Sequence, residues 1–162
     1  MGASYTGVAS SPVQAFITGP DGIGMQAVES TPSYSSEAFA ISDTGWVAGT
    51  QQLIAGGVTT AFVFHPSIGV RMLGLTPNAE GSASGVDPEG RVVGRAQLPT
   101  GDFAAFVTEA GGGLAVDLNS VTQGLPRRES LSYAFAINER GQISAATRDG
   151  HAYLICPTVD CQ

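Results

Sequence analysis

Three stretches of this chain are near-copies of one another. Residues 37–49 read EAFAISDTGWVAG, residues 82–94 read SASGVDPEGRVVG, and residues 133–145 read YAFAINERGQISA. A second phrase lies between them: QAFIT at 14–18, TAFVF at 60–64, AAFVT at 104–108 and HAYLI at 151–155. Its alanines, Ala15, Ala61, Ala105 and Ala152, are spaced by 46, 44 and 47 residues. A fixed period of roughly 20–50 residues marks a repeat architecture, in which each unit buries its apolar face only against its neighbours.

The unit that starts at Glu37 serves as the template. Residues 38–41 form a short apolar strand, and 42–45 a turn in which Asp bonds the backbone ahead and Gly takes positive φ. Further strands are expected at 46–50, 60–64 and 70–75. Four strands in about 46 residues is the content of one propeller blade. The next unit repeats this at 83–86, 91–97, 103–108 and 114–118, and a third gives 133–137, 142–147 and 151–155. At the other end, 4–10, 14–18 and 24–28 read as strands two to four of a unit. The expectation is a single all-β domain over residues 1–162, with about 3.5 four-stranded antiparallel units at 4–30, 37–75, 82–118 and 133–155, propeller-like. A compact β-barrel or prism is the alternative. Fourteen strands are expected and essentially no α-helix, because no stretch sustains an apolar period of about 3.6. Strands left over at the two ends offer open edges through which a homo-oligomer could form.

The composition excludes several classes of function. Hydrophobic residues at 43% and charged ones at 13% are incompatible with an acidic disordered chain. There is no lysine, and seven arginines against fourteen carboxylates leave a net charge of −7. Nucleic acid and anionic membrane surfaces are disfavoured by that sign, since phosphate binding needs clustered cations. The one adjacent basic pair, Arg127–Arg128, is followed at once by Glu129. No apolar run reaches the length of a membrane span.

Cys156 and Cys161 enclose Pro-Thr-Val-Asp. Close, even-numbered cysteines in a small β protein suggest a disulfide formed in an oxidising compartment. Such a bridge would contribute roughly 2 kcal/mol by restricting the unfolded chain. Two sulfurs without a suitably spaced histidine do not make a zinc site. Residues 1–5 have no basic and apolar leader pattern. The expectation is a secreted, periplasmic or surface protein in which Met1 stands in place of a removed targeting segment.

The succession AFAISDTGWVAG, TAFVF, VRMLGL resembles the HAF-type probable extracellular repeat of bacteria. Units of that family read approximately Ala-x-Ala-Ile-Asn-x-x-Gly-x-Val-Val-Gly, then His-Ala-Phe-Leu, then a strand ending Asp-Leu-Gly. The likeness covers about residues 14–155 and is best at 38–49 and 133–141. His151 keeps the family's histidine, where Gln14, Thr60 and Ala104 replace it. Val116-Asp117-Leu118 keeps the Asp-Leu ending but is followed by Asn119 in place of Gly. The resemblance implies an exported, β-propeller-like protein with no assigned activity, and it carries no catalytic residues onto this chain.

The remaining candidates for chemistry are few. Asp43, Asp87 and Asn138 read as one turn position in successive units. Hairpin turns, with the side chain bonding the following amides, are favoured over a calcium ring because ligand density is low. His65 and His151 sit at strand ends and read as rim residues. Gly22–Gly24 and Gly111–Gly113 precede no helix and carry no Lys-Ser/Thr, so they do not cradle phosphate. No catalytic, cofactor-binding or metal-binding residue is assigned. Phe16, Phe39, Phe62, Phe106, Phe135 and Tyr153 recur at matching positions and are expected in the core. Trp46, the sole tryptophan, follows a turn where the other units carry Arg91 and Gln142. A position that accepts charge is expected to be exposed, which makes Trp46 the candidate anchor for a glycan or protein.

The sequence therefore points to a non-catalytic repeat module presenting loops to a protein or glycan. The alternatives are a carbohydrate- or lactone-processing enzyme on the same scaffold, which leaves the enzyme question open though leaning against, and a structural assembly unit.

Overall fold

The structure is a computed structural model that describes residues 1–5, 13–19, 21–28, 34–53 and 56–157. Fourteen strands among these residues form four antiparallel sheets, each a meander of sequence neighbours. Sheet 1 comprises β1 (Gly2–Tyr5), β2 (Val13–Ile17) and β3 (Gln26–Ala27). Sheet 2 comprises β4 (Tyr34–Ile41), β5 (Val47–Leu53), β6 (Thr59–His65) and β7 (Gly69–Leu73). Sheet 3 comprises β8 (Gly81–Val86), β9 (Val92–Gln97), β10 (Phe103–Thr108) and β11 (Ala115–Asp117). Sheet 4 comprises β12 (Leu131–Ile137), β13 (Ile143–Thr147) and β14 (Ala152–Ile155). None of the four closes on itself, so a barrel is not what these strands build. Of the strand expected at 4–10, residues 6–10 lie outside the described residues.

One helical turn departs from the expectation of no helix: α1 (Leu118–Val121) follows β11 directly. Asp117 caps it, its Oδ1 accepting from the Asn119 amide at 2.9 Å. That bond satisfies one of the amides left open at a helix start. Asn119 then holds both backbone groups of Leu131: its Oδ1 accepts from the Leu131 amide at 2.6 Å, and its Nδ2 donates to the Leu131 carbonyl at 2.9 Å. Asn119, which follows Asp117-Leu118, thus pins the start of β12.

The core consists of three apolar clusters, one in each gap between consecutive sheets. Alternation along a strand sends neighbouring residues to opposite faces, and β6 uses both. Phe62 and Phe64 join Ala15 and Val28 of the sheet 1 side, while Ala61 and Val63 join Val92 and Phe106 of sheet 3. Sheet 3 does the same, with Phe106 facing back to sheet 2 while Val93 and Ala105 face forward to Ala134 and Ile143 of sheet 4. In β6 and β10 alike, a phenylalanine thus points backward and the alanine before it points forward. Burying a phenylalanine such as Phe62 or Phe106 contributes about 1.5–3 kcal/mol.

Of the six aromatics expected in the core, Phe16 is half-buried outside the three clusters and two others are open to solvent. Phe39 is 50% exposed and Phe135 is 53% exposed. The cause is a β-bulge at one recurring position. In β4, Ala38 pairs with Gly49 and Ala40 with Ala48, leaving Phe39 unpaired. In β8, Ala83 pairs with Gly94 and Gly85 with Val93, leaving Ser84. In β12, Ala134 pairs with Ala145 and Ala136 with Ser144, leaving Phe135. An extra residue leaves the ladder and shifts the alternation beyond it. A Cβ on Gly49 or Gly94 would overlap the carbonyl of Glu37 or Ser82 in the facing strand. In the third unit Ala145 supplies that Cβ, and β12 carries a second irregularity between Leu131 and Tyr133.

Candidate functional site

The turns that follow the bulged strands share one hydrogen-bond pattern, and it corrects the sequence alignment. Asp87 Oδ1 accepts from the amides of Glu89 and Arg91 at 3.0 and 2.9 Å. Asn138 Oδ1 accepts from those of Arg140 and Gln142, both at 3.0 Å. In the first unit the equivalent acceptor is Ser42 Oγ, which takes the Trp46 amide at 3.2 Å; Asp43 sits one residue further along and is exposed. The chain-closing bonds agree, running from the amides of Ser42, Asp87 and Asn138 to the carbonyls of Trp46, Arg91 and Gln142. Among the described residues no three His, Cys, Asp or Glu side chains gather where they could hold a metal ion.

Trp46 is half-buried rather than exposed, which removes the premise on which it was singled out. Its indole packs against the cluster between sheets 2 and 3, over Gly90 of the next turn. The other face stacks on the His65 ring, with centroids 4.5 Å apart and planes 29° from parallel. His65 is itself tied down, Nδ1 to Ser67 Oγ at 2.6 Å and Nε2 to the Thr44 carbonyl at 3.3 Å. Thr44 Oγ1 in turn donates to the Pro88 carbonyl at 2.7 Å, crossing to sheet 3. Arg91 takes the corresponding place one unit on, its guanidinium lying where a Cβ on Gly141 would be 3.4 Å away. The position that tolerates Trp or Arg is thus a wedge between sheets, since either flat group covers the glycine ahead. Arg91 also pairs with Asp87, Nε to Oδ2 at 2.6 Å, and the Asp87 side chain is fully buried.

A second cluster joins residues that the sequence keeps apart. Glu129 Oε1 meets His151 Nδ1 at 3.2 Å, and Tyr153 donates its hydroxyl to Glu129 Oε2. The hydrogen bond from Tyr153, with help from His151, holds the Glu129 carboxyl below its ordinary value. The same bond pushes the Tyr153 phenol upward, because losing its proton would set two anions side by side. From the sequence His151 is expected only as a rim residue, and Glu129 only offsets the charge of Arg127–Arg128. No local signal in the sequence announces a contact spanning 22 and 24 residues.

An open aromatic surface lies at β12. The Tyr133 and Phe135 rings stack with centroids 6.1 Å apart and planes 7° from parallel. They are 36% and 53% exposed. Arg95 of sheet 3 reaches across, donating to the Tyr133 hydroxyl at 2.7 Å, with its guanidinium carbon 5.0 Å from the Tyr133 centroid and 4.7 Å from that of Phe103. Such placement stabilises a cation over aromatic faces and ties the Tyr133 ring to sheet 3.

An apolar groove of about 780 Å³ follows the far end of sheet 2, lined by Val58, Thr60, Met72, Leu75 and Pro77. Gln51 also lines it, 4% exposed, with its Oε1 buried and without a hydrogen-bond partner. Cys156 follows β14, 3.9 Å from Gln142 Nε2, while Cys161 lies outside the described residues. No helix among the described residues is long and apolar enough to cross a membrane. Comparison with family models, with curated proteins and with solved structures finds no match to this chain.

Proposed function

We propose that the chain is an exported, propeller-like repeat module that recognises a protein or glycan through the aromatic plate of Tyr133 and Phe135. The observation that carries this reading is an exposed, parallel pair of rings held in place by Arg95. Exposed aromatic rings beside hydrogen-bonding groups suit the C–H face of a sugar ring or an apolar side chain of a partner, and exposed aromatics with arginine are the usual anchors of such contacts. The resemblance to the HAF-type repeats and the pair Cys156 and Cys161 support an extracytoplasmic location. The successive meanders, each packed on the next, support the blade-like arrangement.

A glycan array and a pull-down from surface extracts test the reading. Tyr133→Ala and Phe135→Ala should each abolish capture while Trp46→Ala, if the protein stays folded, should not. Capture that survives both plate substitutions would move recognition elsewhere. The location is tested by thiol titration of denatured, unreduced protein, where two reactive thiols would remove the Cys156–Cys161 bridge. A carbohydrate- or lactone-processing enzyme is the second reading, and the Glu129–His151 pair is the observation in its favour. Turnover of a sugar or lactone that is lost in Glu129→Gln would establish it.

A further inference from the structure

The forward faces of sheets 2, 3 and 4 are built from the same positions but meet different surroundings. On sheet 2, Ala48, Ala61 and Val63 are 0% exposed beneath sheet 3. On sheet 3, Val93 and Ala105 are 0% exposed beneath sheet 4. On sheet 4 the equivalent residues are Ser144, Ala152 and Leu154; all three are exposed, Leu154 to 57%. What covers the two inner faces is in each case the backward face of the following sheet, which inserts Phe106 or Tyr153 between the small residues. Sheet 1 carries the same element. Ala15 and Ile17 pack forward on sheet 2, so Phe16 between them points backward, at the position of Phe62 and Phe106. Phe16 and its neighbour on that face, Gln14, are only half-buried.

We propose that the forward face of sheet 4 receives the backward face of sheet 1 from a second copy of this chain. Copies then join head to tail through an interface of the kind already used three times within the chain. The partner is a second copy because the chain itself holds both halves of the match: an open forward face of Ser144, Ala152 and the apolar Leu154, and a phenylalanine facing backward at Phe16. The arrangement is heterologous, so it either closes into a ring or extends as a filament. The proposal stands apart from recognition by Tyr133 and Phe135 and survives if that reading fails.

Light scattering and sedimentation across a concentration series test it. The protein should populate species of twice 16.5 kDa or more, rising with concentration. Leu154→Arg or Ala152→Arg should return it to 16.5 kDa, as should Phe16→Arg. Gln14→Arg serves as the milder change on that face, and β-sheet circular dichroism identifies any variant that fails to fold. Mixing folded variants gives the decisive arm. Leu154→Arg keeps an intact sheet 1 face and Gln14→Arg an intact sheet 4 face, so an equimolar mixture should form a one-to-one dimer while each alone stays monomeric. A wild-type chain that is monomeric throughout overturns the proposal. So does an oligomer that Leu154→Arg abolishes but both sheet 1 substitutions leave unchanged, since that pattern belongs to a symmetric contact of sheet 4 with itself. Capture of a different repeat protein by monomeric chain through the Leu154 face also overturns it.

Discussion

Trp46 lies so close on Gly90 that a Cβ on the glycine would stand 2.5 Å from the indole Cε2. Gly90 also holds φ at 76°, a conformation that side chains resist. Gly90→Ala should therefore lower stability by about 2–4 kcal/mol, combining backbone strain with overpacking. Gly101→Ala is the control, with φ at 91° but nothing within 4 Å, and should cost about 1 kcal/mol. Urea denaturation followed by the fluorescence of the single tryptophan measures both.

The bulge divides the phenylalanines into two groups of opposite behaviour. Phe62→Ala and Phe106→Ala should each cost about 3–5 kcal/mol, because both rings are fully enclosed. Phe39→Ser and Phe135→Ser should change stability by less than about 1 kcal/mol, since half of each ring already faces solvent. Ser84 shows that serine suits the position; its Oγ donates to the Ala134 carbonyl across the sheets at 2.6 Å. Equal losses in all four variants would contradict the bulged register.

The Glu129–Tyr153 bond should give the protein two pH-dependent limbs. Glu129 is held below its ordinary 4.5, so its contribution is present above that value and is lost as pH falls toward the depressed pKa. Tyr153 is raised above its ordinary 10.0, so its contribution is complete below that value and disappears as pH climbs through the raised one. Tyr153→Phe should flatten the alkaline limb entirely and shrink the acid one. Thermal midpoints across the pH range, wild type against variant, provide the check.

Asp87 does two jobs that substitution can separate. Asn in its place keeps an oxygen for the Glu89 and Arg91 amides, as Asn138 does in the next turn. Asp87→Asn should therefore cost only about 1 kcal/mol, because Arg91 can turn its charge to water. Asp87→Ala removes the turn acceptor as well and leaves two part-buried amides without their side-chain partner, at about 2–4 kcal/mol. Chemical denaturation of the pair gives the difference directly.

Strand content was legible because its signal is local. Short apolar runs bounded by turns such as Ser-Asp-Thr-Gly and Asp-Pro-Glu-Gly mark every strand of sheets 2 and 3, although β4 begins four residues before the expected start, at Tyr34. What escaped was geometry that depends on a second strand. The phrase Ala-Phe-Ala-Ile reads as unbroken alternation, yet its phenylalanine drops out of the ladder only because the partner strand carries one residue fewer. Trp46 misled for a related reason: the tolerance of arginine at its position reflects a flat group over glycine, not solvent. The slip at Asp43 came from matching side-chain type where Ser42 carries the bond. Glu129 could not be anticipated, since its partners come from a strand more than twenty residues away.

The bulge position also sets where this scaffold is free to vary. A side chain left out of the ladder has no pairing partner within its own sheet, so chemistry there can change with little effect on the ladder beneath. Phe39, Ser84 and Phe135 already display that latitude within one chain. The edge strands β4, β8 and β12 thus offer a row of interchangeable sites, on which new specificities can be written without renegotiating the fold.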